Sequence, residues 1–266
     1  MDLSIVILVY KQKGLLRQCL KGISLLNLNF TYEIIVVDND LTDSCSQMIK
    51  KDFPEVKFIQ SDKNLGYAGG NNLGLKKAQG KYIMILNPDI AILTNEFEKM
   101  MQFMNQHPQV GILGPKLINA DGSQQYSCYR FPTFLMPFYR RTFLGKLPWF
   151  RQKVEKYLMM DWDHQNNQEV DWLLGGCLMV RKTALDKVGL LDERFFLYFE
   201  DVDWCRRFWE KGYQVIYFAE SEVVHYHQRS SADTSWLLGL FKKVTREHIK
   251  SWLKYFAKYA GAKRPR

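Results

Sequence analysis

The sequence predicts an α/β fold: a mostly parallel central sheet flanked by helices. Three observations carry this. Short β-branched runs at residues 3–9 and 33–37, bounded by polar residues, enclose an apolar-periodic segment at 15–26. The alternation then continues with a strand near 56–60, a helix near 71–78, a strand at 82–86, a helix around 96–105 and a strand at 110–113. Strand–helix–strand order of this kind gives parallel neighbours, because each helical crossover returns the chain to the same edge of the sheet. Finally, 266 residues of which 47% are hydrophobic suffice to bury a full core.

Ligands in such sheets bind beyond the carboxyl ends of the strands. The residues that fall there are Tyr10, Asp38 and Asn39, the stretch 64–74, and Asn87-Pro88-Asp89. After Gly122 the character changes. Residues 129–160 hold seven Lys/Arg against the single acid Glu155, interleaved with Phe131, Phe134, Phe138, Tyr139, Phe143, Trp149, Phe150 and Tyr157 and broken by Pro132, Pro137 and Pro148. This reads as a long, partly helical excursion that serves as a lid or binding loop, with plain packing as the alternative. From Val170 the regular pattern resumes. A strand runs over 172–180 across Gly175-Gly176, helices follow near 183–188 and 202–211, and strands lie near 214–218 and 222–225.

The formal charge of +9 is concentrated at the end, where residues 242–266 carry nine Lys/Arg against Glu247. On a helix, Leu237, Phe241, Val244, Trp252, Phe256 and Tyr259 fall on one side and Lys243, Arg246, Lys250, Lys254 and Lys258 on another. Such a helix either docks on the core with a solvated basic face or adsorbs to an anionic membrane surface, at about 1 kcal/mol per well-placed cation. The membrane is the expectation adopted. No recognised nucleic-acid-binding motif accompanies the tail, so nucleic acid is not an expected partner. Five scattered cysteines without Cys-x-x-Cys spacing argue against a disulfide framework or zinc site. No apolar run reaches the roughly 18–20 residues of a membrane span, and the start lacks a signal-peptide pattern, so a cytoplasmic location is expected.

Several groups can carry chemistry. Asp38 ends the second strand, where a carboxylate can accept hydrogen bonds from a ribose or base; the turn after the first strand has the single glycine Gly14, so a dinucleotide fingerprint is absent. The stretch from Asn64 through Gly66 to Asn71 reads as a glycine-rich loop entering a helix, where bare backbone can approach an anion, or as a simple turn. Asp89 can cap a helix beginning near Thr94 or, beside a nucleotide diphosphate, hold Mg²⁺ or Mn²⁺. His225, with His227 two residues on, is the candidate second metal ligand. Glu200, Asp201 and Asp203 stand directly behind the aromatic run Phe195-Phe196-Leu197-Tyr198-Phe199. They read either as a reactive site or as first-turn acids of a helix.

Taken in order, Val36-Val37-Asp38-Asn39, Asn64-x-Gly66-Tyr67-Ala68-Gly69-Gly70-Asn71-Asn72, Leu86-Asn87-Pro88-Asp89, Gly175-Gly176-Cys177-Leu178-Met179-Val180-Arg181 and the segment from Phe195 to Asp203 resemble family 2 glycosyltransferases, most of all their bacterial rhamnosyltransferase branch. The resemblance runs from about residue 3 to residue 231. It implies a GT-A fold with a Rossmann-like sheet and an inverting, metal-dependent transfer from a nucleotide sugar. It assigns the nucleoside contact to Asp38, the Mg²⁺ or Mn²⁺ to Asp89 and His225, and the general base to Asp201. Tyr10, Asn64, Gly66, Asn71 and Asn87 fall on the nucleotide side. Trp172, Glu200 and Asp203 fall on the acceptor side or support it, with packing an equal alternative for Trp172.

Three departures stand out: Leu41 where a serine is common, Lys11 where an asparagine is, and Asn87 in place of the first acid of an Asp-x-Asp motif. The implied organisation is a transferase domain over 1–231 (nucleotide-sugar half 1–115, acceptor half 116–231) and a basic amphipathic helix over 232–266. The implied substrates are dTDP-L-rhamnose, or another UDP- or dTDP-sugar, and a lipid-linked or cell-surface glycan at the inner membrane face. A non-catalytic glycan- or membrane-binding relative and a nucleotidyltransferase are the competing classes.

Overall fold

The computed structural model describes residues 1–42, 44–93, 95–142, 145, 147–226 and 243–266. The first half is β1 (Leu3–Val9), α1 (Lys13–Ser24), β2 (Tyr32–Asp38), α2 (Ser46–Asp52), β3 (Lys57–Gln60), α3 (Gly66–Leu75), β4 (Tyr82–Leu86), β5 (Ile90–Ile92), α4 (Glu96–Gln106) and β6 (Val110–Ile118). The second half is β7 (Gln124–Gln125), β8 (Cys128–Tyr129), α5 (Met136–Arg141), α6 (Pro148–Tyr157), β9 (Gln168–Glu169), β10 (Trp172–Leu173), β11 (Cys177–Arg181), α7 (Lys182–Val188), α8 (Glu200–Glu210), β12 (Gln214–His225) and α9 (Lys243–Lys258).

Among the described residues the main sheet has the order β3-β2-β1-β4-β11-β6-β12-β5, with β7 on β6 and β9 on β12. β1, β2, β3 and β4 are mutually parallel; β11 runs against β4 and β6, which restores β6 and its parallel neighbour β12 to the direction of β1. The sheet is therefore mixed but mostly parallel. Alternation along each strand divides the core. Leu3, Ile5, Ile7 and Val9 of β1 face one layer with Leu16, Leu20, Met48, Phe97 and Met100 of the helices. Val6, Ile83 and Ile85 face the other, with Ala68, Val202, Cys205 and Phe208. The five cysteines are buried thiols.

Four sequence expectations need correction. The helix expected at 71–78 starts at Gly66, so the glycines lie inside α3 and not in a loop before it. They are there for packing. A Cβ on Gly70 would come within 2.4 Å of Leu8 Cδ1, and one on Gly74 within 2.4 Å of Val6 Cγ1, so α3 lies closer to the sheet than any side chain permits. The strand expected over 172–180 breaks at Gly175-Gly176 into β10 and β11, which belong to different sheets. The strands expected at 214–218 and 222–225 are one, β12, with an irregularity between Phe218 and Glu222. Finally, β5 and α2 had no counterpart in the sequence pattern.

The C-terminal helix packs on the core. Tyr255 of α9 is buried, with Trp252, Phe256 and Tyr259 packed beside it. The expected basic face is partly spent on protein: Lys258 Nζ meets Asp192 at 2.7 Å and Asp203 at 2.5 Å, and Lys254 Nζ donates to the Arg194 carbonyl. Leu237, Phe241, His227 and the 231/232 boundary lie outside the described residues, as do Thr94 and Phe143. Among the described residues no helix is long and apolar enough to cross a membrane.

Candidate active site

The parallel strands β1, β2, β4 and β12 end at Val9, Asp38, Leu86 and His225, so Tyr10, Asp38, Asn87, Asp89 and His225 share one edge of the sheet. β11 runs the opposite way and starts at this edge. Leu86 pairs with Cys177, which sets Gly175-Gly176 beside Asn87. The Asn87 N–H donates to the Gly176 carbonyl at 2.8 Å.

Asp89 and His225 meet because β5 pairs antiparallel with β12, in register Ile90 to His225. His225 Nε2 lies 3.4 Å from Asp89 Oδ1. Its Nδ1 lies 2.9 Å from Oε1 of Gln125, an amide oxygen that can only accept, so Nδ1 donates there and the ring is held with Nε2 towards Asp89. Asp89 Oδ1 is buried with no hydrogen-bond partner. A buried carboxylate oxygen without a hydrogen-bond partner, beside an imidazole nitrogen whose ring an amide orients, is a donor pair that fits a divalent cation. Among the described residues no group of three or more His, Cys, Asp or Glu gathers to hold a metal ion by itself.

Asp201 reaches the same edge at the first glycine of the pair. Its Oδ2 accepts the Gly175 N–H at 3.1 Å and its Oδ1 the Val202 N–H at 2.8 Å. A Cβ on the adjoining Gly176 would lie 3.6 Å from Asn87 Nδ2 and 3.9 Å from His225 Nε2. Two consecutive glycines thus bridge the carboxylate of Asp201 and the imidazole of His225, which backbone dimensions hold to roughly 13 Å apart at most. Burial pushes the Asp201 carboxyl up to about 6, in spite of the two N–H donors. Glu200 is raised well above the usual carboxylate range by burial and by the charge of Asp201, and its Oε2 has no hydrogen-bond partner. Tyr67 OH donates to the Gly175 carbonyl, so the glycine that holds Asp201 is itself gripped. The phenol is raised well above its ordinary range by burial and by the charges of Glu200, Asp201 and Asp89.

The segment that presents Asp201 is strained and braced. Tyr198 and Phe199 both adopt φ of +68°, a region non-glycine residues rarely enter. α9 supports them: Ser251 Oγ donates to the Leu197 carbonyl at 2.9 Å, and the His248 ring lies 4.6 Å from Tyr198 and 5.6 Å from Phe199. From α3, the Tyr67 N–H donates to the Phe196 carbonyl at 2.8 Å.

The remaining expected residues divide. Tyr10 is exposed at the edge. Asn64 Oδ1 accepts the Gly66 N–H and starts α3; Asn71 donates to the Tyr67 carbonyl and leaves its own buried Oδ1 without a hydrogen-bond partner. Asp38 is at the strand end as expected, but its carboxylate is turned inward. One oxygen accepts the N–H of Asp40 and the other that of Cys45, closing the loop between them.

Asp203 does not join the others. Fully buried two residues on from Asp201 and turned to the opposite face of α8, it binds Lys258, Tyr259 and Arg207, tying α8 to α9. Trp172 is likewise spent on packing, its ring 4.4 Å from Tyr129 and its N–H on the Arg130 carbonyl. Gln125 was missed by the sequence reading: it sits on a two-residue strand and carries no motif.

Residues 4–189 match the family described as Glycosyl transferase family 2. The chain belongs to glycosyl transferase family 2. It resembles the N-acetylglucosaminyl-diphospho-decaprenol L-rhamnosyltransferase of Mycobacterium tuberculosis, 28% identical over 217 residues, which are 74% of this chain and 67% of the relative. Rhamnosyltransferase WbbL of Escherichia coli is 25% identical over 238 residues, covering 85% of this chain and 83% of the relative. Among solved structures, GalNAc-T7 with UDP, GalNAc and Mn²⁺ superposes with a TM-score of 0.68 at 14% identity, over 98% of this chain and 49% of that one. The fold of this family 2 glycosyltransferase is thus GT-A. Its chain spans about two thirds of the mycobacterial relative and half of the superposed structure. The family match ends at residue 189, ahead of Asp201 and His225.

Proposed function

We propose that this family 2 glycosyltransferase performs an inverting, metal-dependent transfer of L-rhamnose from dTDP-L-rhamnose to a lipid-linked glycan, acting from the inner face of a membrane. One observation carries the mechanism: Asp201 accepts the N–H of Gly175 while His225, paired with Asp89, borders the adjoining Gly176. Asp89 and His225 would hold Mg²⁺ or Mn²⁺ together with the donor diphosphate, which supplies positive charge against the negative charge of the leaving group. Asp201 takes the proton of the acceptor hydroxyl. The acceptor oxygen bonds to the anomeric carbon as the bond from that carbon to the diphosphate oxygen breaks, and configuration inverts because base and leaving group lie on opposite faces.

The carboxyl of Asp201, raised towards neutrality, is a stronger base than an exposed aspartate while remaining ionised at pH 7. Gly175 fixes its Oδ2, and Tyr67 fixes Gly175. Asp38 acts on the nucleoside through the loop it closes, and Tyr10 offers the exposed ring beside that loop. Glu200, buried beside the base with its carboxyl raised well above the ordinary range, stands on the acceptor side.

The rhamnose donor is supported by the names of the mycobacterial and Escherichia coli relatives, and the lipid-linked acceptor by the decaprenol in the former. A UDP-sugar donor is the second reading, because GalNAc-T7 carries UDP on the same fold. The test is a panel of dTDP-, UDP- and GDP-sugars with Mn²⁺ or Mg²⁺, scoring nucleoside diphosphate release with and without chelator. The expected outcome is dTDP release that chelator abolishes. Release indifferent to chelator would remove the metal from the scheme, and preference for a UDP-sugar would replace the donor.

A further inference from the structure

We propose that the hairpin formed by α5 and α6 is the surface that seats this protein on an anionic lipid bilayer. The inference rests on the lipid-linked acceptor of the preceding reading and names the surface that reaches it. Large apolar side chains normally appear on a surface singly. Here Phe134, Leu135, Phe138 and Leu147 are all close to half exposed and Trp149 is 84% exposed, within one short stretch of chain.

The inner side of the hairpin is already satisfied. In α6, Phe150, Val154 and Tyr157, spaced four and three apart, turn inward; the Phe150 ring lies 4.6 Å from Tyr139 of α5, and Val154 and Tyr157 join the second core layer. With the same spacing one residue earlier, Trp149, Lys153 and Lys156 form an exposed outward stripe. An aromatic anchor with lysines beside it and leucine and phenylalanine around it is the composition of an interfacial helix on anionic lipid. Arg140 is exposed as well, and so is Arg151, which pairs at 2.7 Å with Glu155, the one acid in residues 129–160.

Neighbouring contacts orient this face. Phe134 packs at 4.6 Å on Trp252 and 5.3 Å on Phe256, so the hairpin and α9 form one surface that also exposes Leu253, Lys250 and Lys254. At its root, Tyr157 stacks at 5.6 Å on Tyr129 of β8, which pairs with Trp172 of β10, three residues before the Gly175 that holds Asp201. The bilayer therefore adjoins the cleft on the side of the base, where a lipid-linked acceptor must enter. The cations of α9 alone do not make this surface, because Lys258 is committed to Asp192 and Asp203 and Lys250 pairs with Glu247.

The test is co-sedimentation of the full chain with vesicles of phosphatidylglycerol and phosphatidylethanolamine, and with vesicles of phosphatidylcholine alone. The wild type should bind the anionic vesicles preferentially. Trp149→Ser with Phe138→Ser should weaken that binding by about tenfold or more, from the apolar area removed. Lys153→Glu with Lys156→Glu should abolish the preference for anionic lipid. Thermal unfolding and nucleoside diphosphate release in solution should stay at wild-type values in both.

Anionic-vesicle binding by the serine variant within about twofold of wild type would overturn the proposal, since removal of that apolar area must cost more. So would absence of binding by the wild type, or a wild-type dimer that the serine variant dissociates and that shows no vesicle affinity. The vesicle arm contains no donor, so the two readings fail separately. Hairpin-dependent binding without any diphosphate release would defeat the enzymatic reading alone, and normal release with unaltered vesicle binding would defeat this one alone.

Discussion

Replacing Asp203 by alanine tests whether this carboxylate belongs to the cleft or to the frame. The side chain is fully buried and binds Lys258 Nζ at 2.5 Å, Tyr259 OH at 2.8 Å and Arg207 Nε at 2.8 Å. Removing one partner of a buried ion pair costs about 3–5 kcal/mol, because the remaining charge is stranded. Neither cation is left bare here: Lys258 keeps Asp192 at 2.7 Å, and Arg207 keeps the carbonyls of Val188 and Leu190. The lower end, about 3 kcal/mol, is therefore expected. A chain of this length has an unfolding entropy of about 0.6 kcal/mol/K, which converts that loss into a Tm lower by about 5 °C. Differential scanning calorimetry measures it, and donor-dependent diphosphate release well below Tm measures the site. The frame assignment predicts a lowered Tm with an unchanged KM for the donor. A Tm within about 1 °C of wild type together with a large rise in acceptor KM would refute it, because a network of this burial cannot be lost without cost.

Other consequences follow from the same geometry. In Gly66→Ala the new Cβ would sit 2.2 Å from the Phe196 carbonyl oxygen at a φ of +72°, so urea unfolding should show a loss of about 3 kcal/mol or more; a near-neutral variant would contradict the close approach of α3 to the Phe196 segment. Because Asp201 must be ionised to accept a proton and burial lifts its carboxyl to about 6, kcat should rise with pH through that value and level off above it, falling about tenfold per unit on the acid side. A profile flat across that range would remove Asp201 as the base. Gln125→Leu strips the acceptor from His225 Nδ1 and should weaken Mn²⁺ binding to the nucleotide-loaded protein by about 10–100-fold, read by titration of the metal. Unaltered affinity would separate His225 from the metal.

The strands that build the carboxyl edge were legible because they are buried on both faces and read as short β-branched runs between polar residues; β1 and β4 lie where the pattern put them. The order of the acidic motifs along the chain also pointed to Asp89, Asp201 and His225, which the fold brings to one edge. What escaped detection depends on distant partners. β5 and β7 are three and two residues long, and exist because β12 and β6 offer them an edge; they supply the register of Asp89 with His225 and the amide of Gln125. The glycines of α3 read as a loop because glycine disfavours helix locally, whereas their reason is the position of Leu8 and Val6 on β1. Nothing near Asp203 or Trp172 in sequence reveals that Lys258 and Tyr129 will be waiting for them. The basic residues of the last helix suggested a face for an anionic membrane, with a solvated face as the alternative, but two of its lysines are drawn back onto the protein.

The most direct measurement of the central claim is Asp201→Asn, with dTDP binding in Mn²⁺ by calorimetry beside transfer from dTDP-L-rhamnose. An amide at 201 is isosteric, keeps an acceptor for one of the two backbone N–H groups, leaves Asp89 and His225 untouched and cannot take a proton. The account predicts wild-type affinity for the nucleotide and loss of transfer by at least about a hundredfold, the contribution of a positioned base. Transfer at the wild-type rate would show that the proton leaves by another route and that the convergence on Gly175-Gly176 is not the catalytic centre.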